Sequence, residues 1–293
     1  MRVGIVILPE SRWWAAEPKW RAAEEYGFDH AWTYDHLGWR TLVDGPWFGA
    51  VPTLTAAAVV TEQIRLGTLV ASPNFRHPVP FARELTALDD VSDGRFILGV
   101  GAGGLGYDAT VLGQPELTGE QRADRFGEFV ELLDQLLRTD KVTWHGEYYS
   151  ANEAWNLPDC VQRPRLPFVV AANGNRSARL AARFGDGWVT TGRYAERPAD
   201  WWDSVRDLSE RFDETLAAYD RHPSSVDRFL SLDAGPGYAL SSVDALRDGI
   251  GRAGELGFTD VVVHWPRESQ PYAGAERVLE EVATEVLPNL EGS

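Results

Sequence analysis

Eight short apolar runs, each followed by a longer stretch with helical spacing, divide the 293-residue chain. The runs are Val3 to Leu8, His30 to Tyr34, Ile64 to Val70, Phe96 to Val100, Phe168 to Ala172, Gly187 to Thr191, Phe229 to Asp233 and Thr259 to His264. Strand-length runs alternating with helical patterns are the signature of repeated βα units and a parallel sheet. In the helical stretches, residues such as Ala123, Phe126, Phe129, Val130, Leu133, Leu136 and Leu137 recur three or four positions apart and so share one face. Eight such units predict a (β/α)8 TIM barrel, for which the length is right. One segment breaks the alternation. Val142 to Ala151 reads as a short hairpin strand ahead of the proline-rich Pro158 to Pro167, a short insertion between the fourth helix and the fifth strand. No Gly/Ser linker, repeat or low-complexity tract divides the chain, so residues 1–293 are expected to form a single domain.

Charge narrows the partners. A formal charge of -16 and a pI near 4.8 disfavour nucleic acid and acidic membrane surfaces, which need clustered cations. A small-molecule substrate is expected. Cys160 is the only cysteine, so no intramolecular disulfide forms. The N-terminal apolar run stops at Pro9, unlike a signal peptide, and no run approaches the ~18 residues of a spanning helix. The expectation is a soluble, cytoplasmic protein.

Gly99, Gly101 and Gly104 spell G-x-G-x-x-G directly after a predicted strand. A dinucleotide fingerprint would open a helix there and reach an acidic residue about 20 positions on. Instead two more glycines and Pro115 follow, and the next helix starts at Thr118, with Gln121 placed to complete a capping box. The stretch is therefore a glycine-rich strand end leading into a long loop.

In such barrels the active site lies at the C-terminal strand ends. Strand two ends in Asp35-His36, a carboxylate beside the side chain that most readily exchanges a proton near neutral pH. His36 is the candidate catalytic proton donor; a structural histidine bonded to a loop carbonyl is the alternative. Asn173, Gly174, Asn175, Arg176 and Ser177 form a turn into a helix, where free amides and the helix dipole suit a phosphate or, equally, an ordinary cap. Trp13, Trp39, Trp47 and Trp265 fall in loops or at strand ends and could stack on a planar ligand, whereas Trp20, Trp32 and Trp188 read as packing residues. Metal-site and acyl-enzyme motifs are absent: there is no H-x-H on the first strand, no H-E-x-x-H and no G-x-S-x-G.

Taken in order, Asp35-His36, Leu66 to Pro78, Leu88 to Gly103 and Ala181 to Trp188 resemble the bacterial luciferase-like family over nearly the whole chain. The resemblance implies a (β/α)8 barrel that uses coenzyme F420, a deazaflavin, or alternatively FMN. It implies ring contacts from Asp35, with His36 beside the reactive carbon, and a non-proline cis peptide at Leu69-Val70. Ser72 resembles the hydroxyl that contacts the ring, and Gly101 and Gly103 line the pocket at strand four. Gly174 and Asn175, beside Asn173, resemble the turn that holds the phosphate. A homodimer is also implied. Sugar-phosphate dehydrogenases of the family carry a glutamate where Gly104 stands, and they use lysine. Here Lys19 and Lys141 are the only lysines and neither lies near a predicted strand end. The resemblance thus points to a coenzyme F420-dependent oxidoreductase acting on a less polar substrate, by reduction of a C=C or C=N bond. The alternatives are an FMNH2-dependent monooxygenase and a noncatalytic flavin-binding paralogue.

Overall fold

The computed structural model describes residues 1–290. Eight parallel strands close into a barrel: β1 (Arg2–Val6), β2 (His30–Thr33), β3 (Arg65–Thr68), β4 (Phe96–Val100), β7 (Phe168–Ala171), β8 (Gly187–Thr190), β9 (Asp227–Ser231) and β10 (Asp260–His264). The circuit runs β1-β10-β9-β8-β7-β4-β3-β2, and β1 shuts the ring by pairing with both β2 and β10. The (β/α)8 expectation therefore holds, including the segment set apart from it. Residues 141–155 form an antiparallel hairpin, β5 (Lys141–His145) and β6 (Ser150–Trp155), outside the barrel.

The surrounding helices are α1 (Trp13–Glu25), α2 (Ala50–Val60), α3 (Pro78–Val91), α4 (Tyr107–Thr110), α5 (Gly119–Arg138), α6 (Asn175–Phe184), α7 (Pro198–Ala218), α8 (Val243–Glu255) and α9 (Arg277–Glu285). Thr118 caps α5 with both bonds of a capping box to Gln121, as its sequence predicts. Phe126, Phe129, Val130, Leu133, Leu136 and Leu137 are buried on the inner face of that helix. On its outer side Glu128 accepts the amides of Glu147, Tyr148 and Tyr149 at 3.0, 2.9 and 2.7 Å, which fastens the hairpin to α5.

Two apolar layers result. Side chains pointing outward from the strands pack against the helices, while Val6, Trp32, Ile97, Val169, Phe229 and Val262 fill the barrel. The floor is polar: His30 Nε2 lies 3.0 Å from the buried Asp260, which also takes two hydrogen bonds from Arg2. That leaves the opposite, C-terminal end as the place for chemistry. Among the described residues no helix is long and apolar enough to cross a membrane.

Candidate active site

At the end of β2 the chain stays extended, so neighbouring side chains point to different sides. Asp35 turns into the protein, 2% exposed, and receives Nε and Nη2 of Arg76 at 2.5 and 2.8 Å. Arg76 also donates to Glu84 at 2.8 Å and lies 4.3 Å above the Phe81 ring. Burial lowers the Arg76 pKa, but Asp35 and Glu84 outweigh it and hold the guanidinium above its ordinary value.

His36 points elsewhere, and its carboxylate is a different one. Nδ1 lies 2.5 Å from Oδ2 of Asp108, in the short α4 after β4. Asp108 Oδ1 accepts the amides of Leu37 and Gly38 at 2.8 and 3.3 Å, so the same carboxylate fixes both the ring and the backbone that carries it. Trp47 Nε1 donates to the His36 carbonyl at 2.8 Å. A carboxylate only accepts, so Nδ1 carries a proton. Nε2 has no protein partner among the described residues, and the side chain is 27% exposed. The carboxylate that holds His36 is thus not its sequence neighbour.

Beside His36 a second group is assembled from the ends of β2, β9 and β10 and the loop after β10. Tyr34 Oη is 2.7 Å from His264 Nε2 and 3.2 Å from Tyr272 Oη. His264 Nδ1 is 3.0 Å from Asp233. Trp39 stands edge-on to Tyr34 at 5.0 Å and nearly parallel to Tyr272 at 6.4 Å. Burial raises the Tyr34 hydroxyl well above the ordinary tyrosine range and also raises Tyr272.

The third wall is the end of β3. The strand stops at Thr68, short of the expected Val70, because the chain bulges: Leu69-Val70 is cis and Ala71 rejoins the sheet beside Val100. A Cβ on Gly101 would sit 2.8 Å from Val70 and 3.3 Å from Ala171, so that glycine makes room for the bulge. Gly103 has a φ of +76° and lies against Asn74, where a Cβ would come within 2.6 Å. At Gly104 and Gly174 a Cβ would meet nothing within 4 Å. Ser72 is 3% exposed, and its Oγ accepts the Asn74 amide at 3.4 Å.

After β7, Asn173 is used up as a brace. Its Nδ2 donates to Thr191 and Gly192 at 2.7 and 3.0 Å, and Thr190 donates to its Oδ1 at 2.6 Å. Gly174 is the N-cap of α6 and supplies no side-chain cap, so the first-turn amides at Asn175 and beyond face outward.

The tryptophans divide. Trp39 and Trp47 belong to the barrel-interior cluster at the mouth. Trp13 packs on the outer core, and Trp265 must be corrected to a packing residue. Along β10, Val261, Val263 and Trp265 face outward, and Trp265 stacks on Tyr26 at 6.4 Å and donates to Glu276 at 2.8 Å. Lys19 lies 5.8 Å over that same ring on the outside, and Lys141 pairs with Glu153 on the hairpin. Sequence reasoning missed Asp108, Arg76, Tyr34, Asp233 and Tyr272. Asp108 carried only a weak signal, an acid inside the glycine-rich loop; Tyr34 and Asp233 stood at predicted strand ends and Arg76 within Leu66 to Pro78 without being singled out, and Tyr272 carried none.

Comparison with known proteins agrees with this architecture. Residues 1–277 match the family described as luciferase-like monooxygenase. An F420-dependent glucose-6-phosphate dehydrogenase of Intrasporangium calvum is 31% identical, with 92% of each chain covered. That of Beutenbergia cavernae is 40% identical over 58% of this chain and 50% of its own, so this match spans half of the relative's length. A coenzyme F420 dependent tetrahydromethanopterin reductase from Methanopyrus kandleri shares the fold, with a TM-score of 0.77 at 20% identity, covering 98% of this chain and 99% of that one. The chain belongs to the luciferase-like family.

Proposed function

We propose that this protein is a coenzyme F420-dependent oxidoreductase acting on a small, partly apolar organic substrate, by reduction of a C=C or C=N bond. The observation that carries the reading is His36, held by Asp108 with Nε2 left bare at the barrel mouth. That is the arrangement of a group that gives or takes a proton beside a hydride transfer. The names of the relatives support the choice of cofactor.

The residues fit such a coenzyme. Gly104 leaves open space, the uncapped first turn of α6 at Gly174 and Asn175 suits a phosphate, and the bulge at Leu69 and Val70 presents apolar, half-buried surface. When bound, the deazaflavin supplies the hydride chemistry. The chain's own residues do the rest. Asp108 fixes the His36 tautomer, and Asp35 anchors Arg76 behind the bulge. Ser72 and the backbone at Gly101 and Gly103 line the ring side, while Trp39 and Trp47 give the substrate an aromatic wall. A sugar phosphate is disfavoured, since no lysine stands at the mouth and Gly104 offers no acid.

The test is a titration of apoprotein with coenzyme F420 and with FMN, followed by tryptophan fluorescence. Preference for coenzyme F420 is expected. Preference for FMN, with oxygen consumed during turnover, would replace this reading by a monooxygenase. His36→Ala is expected to lose ~10²-fold or more in turnover; unchanged function would indicate a noncatalytic cofactor-binding protein.

A further inference from the structure

On the same side of the mouth as His36, with the Tyr34 ring against both, stands a second imidazole, and this one is sealed. The His264 side chain is 1% exposed and that of Asp233 is 0%. Asp233 Oδ2 accepts the His264 amide at 2.7 Å, and Oδ1 accepts the Ala239 amide at 2.7 Å. A carboxylate offers no proton, so His264 Nδ1 must donate across its 3.0 Å contact, which makes Nε2 of the neutral ring an acceptor. Tyr34 therefore donates to Nε2 at 2.7 Å, and its oxygen is left to accept from Tyr272 at 3.2 Å. Every donor points inward, in the order Tyr272, Tyr34, His264, Asp233. The outer terminus is the Tyr272 oxygen, on a half-buried ring stacked on His264 at 3.7 Å and 9° and facing Trp39. Packing alone gains nothing from an imidazole, a carboxylate and two phenols, each of which must be desolvated and fully bonded to be tolerated there.

We propose that Tyr272 is a catalytic residue that exchanges a proton with a substrate heteroatom, through a relay of Tyr34 and His264 in which Asp233 positions the imidazole. This rests on the hydride-transfer reading above and gives the substrate's proton to Tyr272, which leaves His36 to exchange the proton of the deazaflavin ring. In the oxidising direction a hydride, with its two electrons, leaves a substrate carbon for the oxidised deazaflavin. The O–H or N–H bond on the neighbouring heteroatom breaks, and its proton goes to Tyr272. The Tyr272 proton passes to Tyr34 and the Tyr34 proton to Nε2, so that an imidazolium rests against Asp233 and the substrate keeps a C=O or C=N bond. In the reducing direction a protonated His264 keeps donating from Nδ1 to Asp233 and donates from Nε2 to Tyr34, Tyr34 donates to Tyr272, and Tyr272 delivers the proton outward. The charged groups around the relay are Asp233, Arg40 and Arg267, the last paired with Glu10 at 2.7 Å. The substrate class narrows accordingly. A C=O or C=N bond uses this proton, whereas an isolated C=C bond gives Tyr272 nothing to act on.

The first test needs no substrate. Nitrogen-15 NMR of the apoprotein histidines, with His264 assigned by loss of its signals in His264→Gln, is expected to show the proton on Nδ1. Asp233→Ala removes the acceptor that holds the proton on Nδ1, and is expected to shift the proton toward Nε2. A wild-type proton on Nε2 overturns the relay. In the second test, protein loaded with reduced coenzyme F420 is mixed with cyclohexanone or 2-methyl-1-pyrroline and cofactor oxidation is followed. Tyr272→Phe is expected to lower kcat by ~10²-fold or more with cofactor affinity unchanged. Undiminished kcat in Tyr272→Phe overturns the proposal, as does a wild-type protein that binds the cofactor and is oxidised by neither probe. Failure to bind coenzyme F420 would instead refute the oxidoreductase reading, and the NMR result would still decide the relay.

Discussion

Asp35→Leu separates two roles that the sequence cannot tell apart, a contact to the cofactor and an anchor for Arg76. The substitution keeps the branched four-atom side chain and removes the charge, so it leaves the Arg76 side chain, 12% exposed, without its two-pronged partner. Removing one member of a buried pair costs about 3–5 kcal/mol, because the other charge stays desolvated. Glu84 still accepts one bond at 2.8 Å, but its side chain is 43% exposed and sits in a wetter environment, which puts the loss at the lower end, about 3 kcal/mol. With a urea dependence of roughly 1–3 kcal/mol per molar, the unfolding midpoint of the apoprotein should fall by about 1 M or more. Arg76→Leu should cost a similar amount, and the Asp35→Leu/Arg76→Leu double variant should recover much of it, since apolar replacements of a buried pair are often nearly neutral. The assay is urea unfolding of the four proteins without cofactor. An unmoved midpoint in Asp35→Leu, accompanied by weaker coenzyme F420 binding, would refute the anchoring role and restore Asp35 as a ring contact.

Asp108→Asn should turn the His36 ring to its other tautomer and lower kcat by ~10²- to 10⁴-fold, measured alongside an unchanged cofactor affinity. Gly101→Ala drives a Cβ to 2.8 Å from Val70 and should lower thermal stability by about 1–3 kcal/mol, whereas Gly104→Ala meets open space and should cost less than ~0.5 kcal/mol. Burial holds the hydroxyls of Tyr26, Tyr34, Tyr148, Tyr149, Tyr238 and Tyr272 above the ordinary tyrosine value of about 10. Above that pH the unfolded chain loses these protons and the folded chain keeps them, so stability is full below it and falls as pH rises through the folded values. Ultraviolet titration of the native protein should accordingly show six of its nine tyrosines ionising late.

Periodicity made the barrel legible. Its strands are buried on both faces and its helices on one, and both patterns survive in a single sequence. The hairpin announced itself by breaking that alternation, and the α5 cap by the local chemistry of Thr118 and Gln121. The site was legible only where one residue suffices. His36 stands out because a histidine at a strand end is chemically conspicuous, but its partner Asp108 lies 72 positions on, and the adjacent Asp35 turns away to Arg76, 41 positions on. Trp265 failed for the same reason, since one step along β10 exchanges the barrel interior for the helix layer. Tyr34 was visible only as the apolar end of a strand, and Tyr272 lies in a loop whose position no periodicity reports.

Both imidazoles at the mouth obey one geometric rule, which explains why their acids are remote in sequence. A strand-end histidine facing the mouth has sequence neighbours on other sides, so a carboxylate that reaches its Nδ1 must come from the loop of another βα unit. For His36 that loop follows β4 and Asp108 is 72 residues away; for His264 it follows β9 and Asp233 is 31 residues away. The two units are joined by a shared residue, because Tyr34 bonds His264 at 2.7 Å while its ring stands edge-on to His36 at 5.7 Å. Groups that share a partner do not respond independently to substitution. The losses in kcat from Asp108→Asn and Asp233→Ala should therefore not multiply in the double variant, whereas two isolated acid-base sites would give the full product.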